Sequence, residues 1–157
     1  MSLKKFAVAK ARALPVIILA DTSGSMSVKG KDEALNEAIQ NMVSTFKQES
    51  ARQAEIHVGL ITFGGESAEM HLPLAKASEI EAMKPLDAFG RTPMGHAFEL
   101  ATEGLEDKEI ITSRDYRPVL ILLSDGIPTD SWQAGLERLT TSERGQKASR
   151  FATPDSG

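Results

Sequence analysis

Two unbroken apolar runs constrain the fold of this chain more than any other feature. They occupy residues 16–20 (VIILA) and 119–123 (VLILL), and neither alternates between apolar and polar side chains. Such runs are typical of strands that are covered on both faces. Helical patterns at residues 32–48 and 93–106 lie between the two runs. This alternation predicts an α/β protein with a doubly wound, mostly parallel, Rossmann-like sheet and helices on both faces.

The weaker patterns complete the predicted topology. Residues 55–63 predict a second strand, and residues 69–74 predict a partner that forms a hairpin with it and caps the sheet edge. Asp130 or Ser131 is expected to cap a last helix that runs to about residue 147. On the first helix, an inward stripe is expected from apolar residues at helical spacing, namely Leu35, Ala38, Ile39, Met42 and Phe46.

The predicted domain covers residues 14–152, between a basic leader (1–13) and a short tail (153–157). Phe151 and Ala152 resemble the start of a further strand, but Pro154 and small polar residues follow them. We therefore expect the sheet to lack its last strand and closing helix. The strand at residues 119–123 would then be an open edge, shielded by the tail, by a second copy of the chain or by a partner.

Composition excludes several classes of function. A formal net charge of −4 argues against a general nucleic-acid binder. The absence of cysteine excludes disulfides, thiolate metal sites and cysteine nucleophiles, and it favours a reducing, cytoplasmic location. The sequence has neither an apolar run long enough to cross a membrane nor the pattern of a secretory signal, so no membrane association is expected.

Oxygen-bearing side chains follow both apolar runs. Asp21, Ser23 and Ser25 come directly after the first run, Asp125 follows the second, and Thr92 lies in a loop just before a helix. The carboxyl ends of neighbouring parallel strands share one crevice at the point where the strand order reverses. Carboxylates and hydroxyls are hard donors that suit Mg²⁺ or Mn²⁺, with Ca²⁺ a weaker candidate. The sequence therefore predicts that these five residues form a metal site.

Each of these residues also has an ordinary structural interpretation. Serine and aspartate are common in turns, Thr92 before Pro93 is a good helix cap, and Asp125 with Gly126 is a common turn pair. Taken singly, a turn or cap is the better interpretation for every residue except Asp21. Their joint placement after the two core strands favours a metal site over these alternatives.

Three motifs in order resemble the von Willebrand factor A family with its metal-ion-dependent adhesion site. They are Asp-x-Ser-x-Ser at residues 21–25, Gly-x-Thr-Pro at 90–93 and Ser-Asp-Gly at 124–126. Residues 14–26 and 117–130 are most similar to the bacterial TerY branch, associated with tellurium (tellurite) resistance and stress response. The resemblance implies that Ser23 and Ser25 ligate the ion directly, that Thr92 ligates it in the ligand-bound arrangement, and that Asp21 and Asp125 bind it directly or through water.

The resemblance implies a non-enzymatic module for protein–protein interaction. A partner would supply an Asp or Glu carboxylate to the ion, and kinase-like or phosphatase-like proteins of the same system are candidates. Self-association through an open sheet edge is a further expectation. One alternative is a Mg²⁺-dependent phosphoryl-transfer enzyme with Asp21 as nucleophile, although Ser23 stands where such an enzyme needs a second acid. Another is a structural subunit whose site is vestigial.

Overall fold

The structure is a computed structural model that describes residues 12–24, 31–50, 55–80, 90–112, 114–124 and 132–152. The elements within these residues are, in chain order, β1 (Ala13–Asp21), α1 (Lys31–Ser50), β2 (Glu55–Gly64), β3 (Ser67–Lys76), a 3₁₀ turn (Ala77–Glu79), α2 (Met94–Glu106), β4 (Val119–Leu123), α3 (Trp132–Thr141) and β5 (Ser149–Ala152).

The strands form one sheet in the order β3-β2-β1-β4-β5. β1 pairs in parallel with both β2 and β4, β5 is parallel to β4, and only β3 runs antiparallel, as a hairpin with β2. The predicted α/β class and the predicted hairpin are therefore confirmed. Because the chain leaves β1 toward β2 on one side and later adds β4 on the other, the strand order reverses between β1 and β4.

The centre of the sheet is buried on both faces, as the unbroken run in β1 predicts. Val16 and Ile18 pack into a core layer with α1, whereas Ile17 and Leu19 pack into the opposite layer with α2. Every one of these four side chains is almost fully buried. The sheet is thus held between two hydrophobic layers, and this fixes the position of the loops that leave its carboxyl edge.

The prediction that the sheet lacks its last strand is wrong. Ser149–Ala152 forms β5 and pairs with β4 from Val119↔Ser149 to Leu122↔Ala152. The backbone N–H of Ser149 also donates to the carbonyl oxygen of Pro118 at 2.9 Å. A short strand can form through backbone hydrogen bonds without an apolar run of its own. The β4 edge is therefore covered by the chain itself, and this removes the basis for the expected self-association through that edge.

The last helix ends earlier than the sequence predicts. α3 stops at Thr141, and residues 142–148 form turns in which the N–H of Gly145 donates to Ser142 Oγ at 3.0 Å. A Cβ atom at Gly145 would lie 1.7 Å from the carbonyl oxygen of Leu139. Only glycine therefore fits at this position in the turns after α3. The predicted caps Asp130 and Ser131 lie outside the described residues.

None of the described helices is long and apolar enough to cross a membrane.

Candidate metal site

Asp21 is the centre of the candidate site. It is the last residue of β1, and its side chain is fully buried. Its Oδ1 accepts a hydrogen bond from the backbone N–H of Ser23 at 2.8 Å, and its Oδ2 accepts one from the hydroxyl of Ser124 at 2.6 Å. A buried carboxylate is stable only when donors or cations replace its lost water, and here the donors come from the loops after β1 and β4.

The register of the sheet explains why these two loops meet. Ala20 and Leu123 are paired residues of β1 and β4, so Asp21 and Ser124 are the next residues along two neighbouring parallel strands. Both strands point their carboxyl ends toward the same edge of the sheet. We call the loops after β1, before α2 and after β4 the first, second and third loops. The prediction that the first and third loops share one crevice requires this adjacency, and the adjacency is present.

The second loop contacts the first through backbone groups. The N–H of Gly24 donates to the carbonyl oxygen of Gly90 at 2.8 Å, and bridges join Gly65 to Gly90 and Arg91. Gly90 has φ of +75°, and a Cβ atom there would lie 2.5 Å from Cα of Gly65. Glycine is therefore needed for the close approach that brings Thr92 to this edge. Thr92 is 5% exposed, and Ser23 is 1% exposed.

The structure thus describes three of the five predicted ligands. Asp21, Ser23 and Thr92 are all buried, on two loops that are joined by a hydrogen bond. Ser25 and Asp125 lie outside the described residues, although Ser124, which precedes Asp125, contacts Asp21. Among the described residues, no group of three or more His, Cys, Asp or Glu side chains is placed to bind an ion.

Ser124 is a contributor to the site that sequence analysis did not assign. Ser124 belongs to the Ser-Asp-Gly motif, but from that motif only Asp125 is among the predicted ligands. The pattern that would have identified it is its position directly after the second apolar run, which matches the position of Asp21 after the first. In parallel neighbours with aligned ends, these two residues become direct neighbours.

The described donors fit a hard divalent ion. One carboxylate and two hydroxyls, all buried, supply only oxygen atoms, which Mg²⁺ and Mn²⁺ prefer. Hydroxyls carry no charge, so an ion held mainly by them keeps much of its positive charge for a further ligand. The Asp21 carboxylate already accepts two hydrogen bonds, and each of its oxygens has a second lone pair for an ion or an ion-bound water.

Two of the histidines have structural contacts. His96 Nδ1 accepts a hydrogen bond from the N–H of Ala68 at 2.9 Å, which ties α2 to β3. His57 Nε2 lies 2.7 Å from Glu55 Oε1, and Lys76 Nζ lies 3.5 Å from the same oxygen. The hydrogen bond from His57, assisted by the charge of Lys76, holds the pKa of Glu55 below its ordinary value, although partial burial acts in the opposite direction.

Fold and motifs together define a domain of the von Willebrand factor type A class. Residues 16–127 match this family, and the chain belongs to it. No curated protein matches the chain.

Several solved structures share the fold. The pilus adhesin SpaC from Lactobacillus rhamnosus GG is similar over 77% of this chain and 16% of its own, with 20% identity and a TM-score of 0.58. A von Willebrand factor type A protein from Catenulispora acidiphila is similar over 92% of this chain and 33% of its own, with 18% identity and a TM-score of 0.62.

A third similar structure carries a metal. Proximal thread matrix protein 1 from the mussel byssus, with a zinc-occupied metal-ion-dependent adhesion site, is similar over 90% of this chain and 38% of its own. Its identity is 18% and its TM-score is 0.65. The chain therefore spans less than half the length of each of these three proteins.

Proposed function

We propose that this domain is a non-enzymatic, metal-dependent protein-binding module. A divalent ion, Mg²⁺ or Mn²⁺, is held by Asp21, Ser23, Ser25, Thr92 and Asp125, and a partner protein completes its coordination with an Asp or Glu carboxylate. The observation that carries the proposal is the buried Asp21 carboxylate, which joins the first and third loops through Ser23 and Ser124. The zinc-occupied site of the mussel protein supports a divalent ion in this class of domain.

The surroundings of Asp21 support binding over catalysis. A carboxylate nucleophile must reach an incoming phosphorus atom, but the Asp21 side chain has no exposed surface, and both of its oxygens accept hydrogen bonds. Ser23 also has no proton that titrates near neutral pH, so it is a poor general acid. These two features favour a carboxylate that organises a site over one that attacks a substrate.

Ion binding tests the proposal directly. Isothermal titration with Mg²⁺ and Mn²⁺ should show one site, and Asp21→Asn or Ser23→Ala should weaken it by about 10- to 100-fold, as is usual when a ligand or its support is lost. Thr102→Ala is a matched control, because Thr102 is also buried and its hydroxyl donates to the carbonyl oxygen of Phe98 in its own helix. Thr102→Ala should leave ion affinity within about twofold of that of the unchanged chain, because its hydroxyl bonds within α2 and not at the candidate site.

Partner capture is tested separately. Pull-down from a cell extract in Mg²⁺ and in chelator should recover a partner only with the ion, and Thr92→Ala should weaken the capture more than it weakens ion binding. Equal ion binding by the unchanged chain and by Asp21→Asn would contradict the metal site and would favour a structural subunit with a vestigial site. Normal ion binding without any ion-dependent partner would contradict only the interaction.

We further propose a cytoplasmic bacterial stress-response system of the tellurite-resistance type as the setting. The support is the similarity of residues 14–26 and 117–130 to the TerY branch, together with the absence of cysteine. In such a system, kinase-like and phosphatase-like proteins are the candidate partners. Deletion of the gene should lower survival in tellurite, and fractionation should find the protein in the cytoplasm. Unchanged survival would contradict the setting without affecting the metal site.

A further inference from the structure

A cleft lies at the end of the sheet opposite the candidate metal site. It has a volume of about 590 Å³ and is bordered by the segment that enters β4 and by the turns after α3. Tyr116, in that segment, donates its backbone N–H to the carbonyl oxygen of Ala13 at the start of β1. The cleft therefore lies at the amino ends of β1 and β4, whereas the candidate metal site lies at their carboxyl ends.

The cleft is positively charged although the whole chain carries a net charge of −4. Within the part of the chain that the structure describes, its ionisable lining consists of four cations and two carboxylates, namely Lys108, Arg117, Arg144, Lys147, Asp115 and Glu143. The formal excess is two positive charges. Arg12 adds a further guanidinium nearby, 4.0 Å from the centre of the Tyr116 ring, and Glu106, which accepts from the backbone N–H of Arg144, adds a carboxylate. The excess therefore stays at two positive charges. A concave site with an excess of one charge attracts ligands of the opposite charge.

One of the two carboxylates is already used by the protein. Asp115 Oδ1 accepts a hydrogen bond from the N–H of Ala13 at 3.2 Å, and its Oδ2 accepts one from the N–H of Thr112 at 2.9 Å. Both oxygens of Asp115 are thus directed to the backbone. This leaves Glu143, which is exposed, as the carboxylate that can fold over the cations.

Arg144 is held in a fixed position in the cleft wall. Its Nη1 donates to the carbonyl oxygen of Leu105 at 2.8 Å and to that of Ile111, and its backbone N–H donates to Glu106 Oε1 at 2.8 Å. These contacts secure the end of α2, which is a structural role. A guanidinium has five N–H donors, so one anchored nitrogen leaves donors that can bind a ligand. An anchored guanidinium also loses little conformational entropy when it binds an anion.

We propose that this cleft binds a phosphate dianion. Two excess positive charges match a dianion better than a single carboxylate, and guanidinium groups bind phosphate oxygens in pairs. The volume is far larger than one phosphate group, so the phosphate can belong to a carrier, either a small molecule or a phosphorylated protein segment. The site is independent of the candidate metal site, since it shares no residue with it and lies at the other end of the sheet.

Anion titration of the isotope-labelled chain by NMR tests the proposal, with inorganic phosphate, sulfate and acetate at constant ionic strength. Amide shifts near Tyr116 and Lys147 should saturate with both dianions and should require about tenfold more acetate. The double variant Arg117→Gln/Lys147→Gln should weaken phosphate binding by about tenfold or more, since it removes two exposed cations from the cleft. Arg144 is left unchanged because of its structural contacts.

Lys47→Gln/Arg138→Gln is the matched control, because it removes the same two charges from α1 and α3, outside the cleft. It should change phosphate affinity by less than twofold. Absence of saturation, equal affinity for acetate and phosphate, or equal losses in the two double variants would each overturn the proposal. A phosphoserine peptide then identifies the carrier: binding more than tenfold tighter than inorganic phosphate assigns a phosphorylated protein, and equal binding assigns a small phosphate compound.

Discussion

The hydrogen bond from Ser124 to Asp21 should stabilise the whole domain even without an ion. Ser124→Ala removes a 2.6 Å O–H···O contact to a fully buried carboxylate. Hydrogen bonds to charged groups contribute about 1.5–3 kcal/mol to the free energy of unfolding. Ser124 is only half-buried, so water can replace part of the lost donor, and we expect a loss of about 2 kcal/mol, near the lower end of that range.

Urea unfolding in the presence of chelator measures this loss without any contribution from metal. Trp132 is the only tryptophan and packs against the core, so its fluorescence reports unfolding. For a domain of this size, a loss of 2 kcal/mol also lowers the melting temperature by about 4–8 °C. Ser149→Ala is the control, since this exposed serine of β5 should change the free energy by less than about 0.5 kcal/mol.

A double-mutant cycle with Asp21→Asn assigns the effect to this contact. The coupling between positions 21 and 124 should be about 1 kcal/mol or more, because the neutral amide accepts a weaker hydrogen bond than the carboxylate. A Ser124→Ala variant as stable as the unchanged chain, or a coupling near zero, would refute the argument that Asp21 depends on donors from the third loop.

For three further substitutions, the structure predicts whether the free energy of unfolding rises or falls. Gly90→Ala forces a side chain into a left-handed backbone position 2.5 Å from Gly65, so its free energy of unfolding should fall by about 2 kcal/mol or more in urea. Gly104→Ala, in α2, would place its Cβ atom 3.9 Å from Cδ1 of Ile17, an ordinary van der Waals contact, and should raise that free energy by about 0.5–1 kcal/mol. A loss would show that the packing of this helix is tighter than this distance indicates. The pKa of Glu55 lies below its ordinary value of 4.5, so its charge stabilises the fold above that pH and the benefit is lost as the pH falls through the folded-state pKa. Glu55→Gln should therefore cost about 0.5–1 kcal/mol at pH 7, and the difference should vanish as the pH falls through the folded-state pKa, as measured by urea unfolding across pH. A difference that stays constant with pH would assign the effect to packing around His57.

The sequence predicted the centre of the fold well because burial on both faces leaves an unambiguous pattern. β1 and β4 are apolar at every position of their runs, and the structure places them side by side. β5 was missed because Ser149–Ala152 contains no apolar run and owes its position to backbone pairing with β4. Local composition cannot reveal a strand of that kind, since its partner is about 30 residues away along the chain.

The ends and faces of helices were predicted less well. On α1, Ala38 is exposed whereas Val43 is buried, because the sheet contacts a stripe that is rotated slightly from the one chosen. Within the predicted last helix, Gly145 was a sign of termination, and the observed contact with Leu139 gives the reason. For the candidate site, sequence analysis identified the loops, but the Ser124–Asp21 bond depends on the relative register of two strands, which no local pattern specifies.

The connection between Asp21 and Ser124 spans 103 residues of chain. Closing a loop of that length costs about 4 kcal/mol of conformational entropy beyond a constant term, which the docking of β4 against β1 must offset. β1, β2 and β3 can associate through contacts made earlier in the chain, but the carboxylate gains its second donor only when β4 arrives. Assembly of the ion site thus coincides with the docking of β4, and a nascent chain that ends before β4 would have the Asp21 carboxylate without the donor from Ser124.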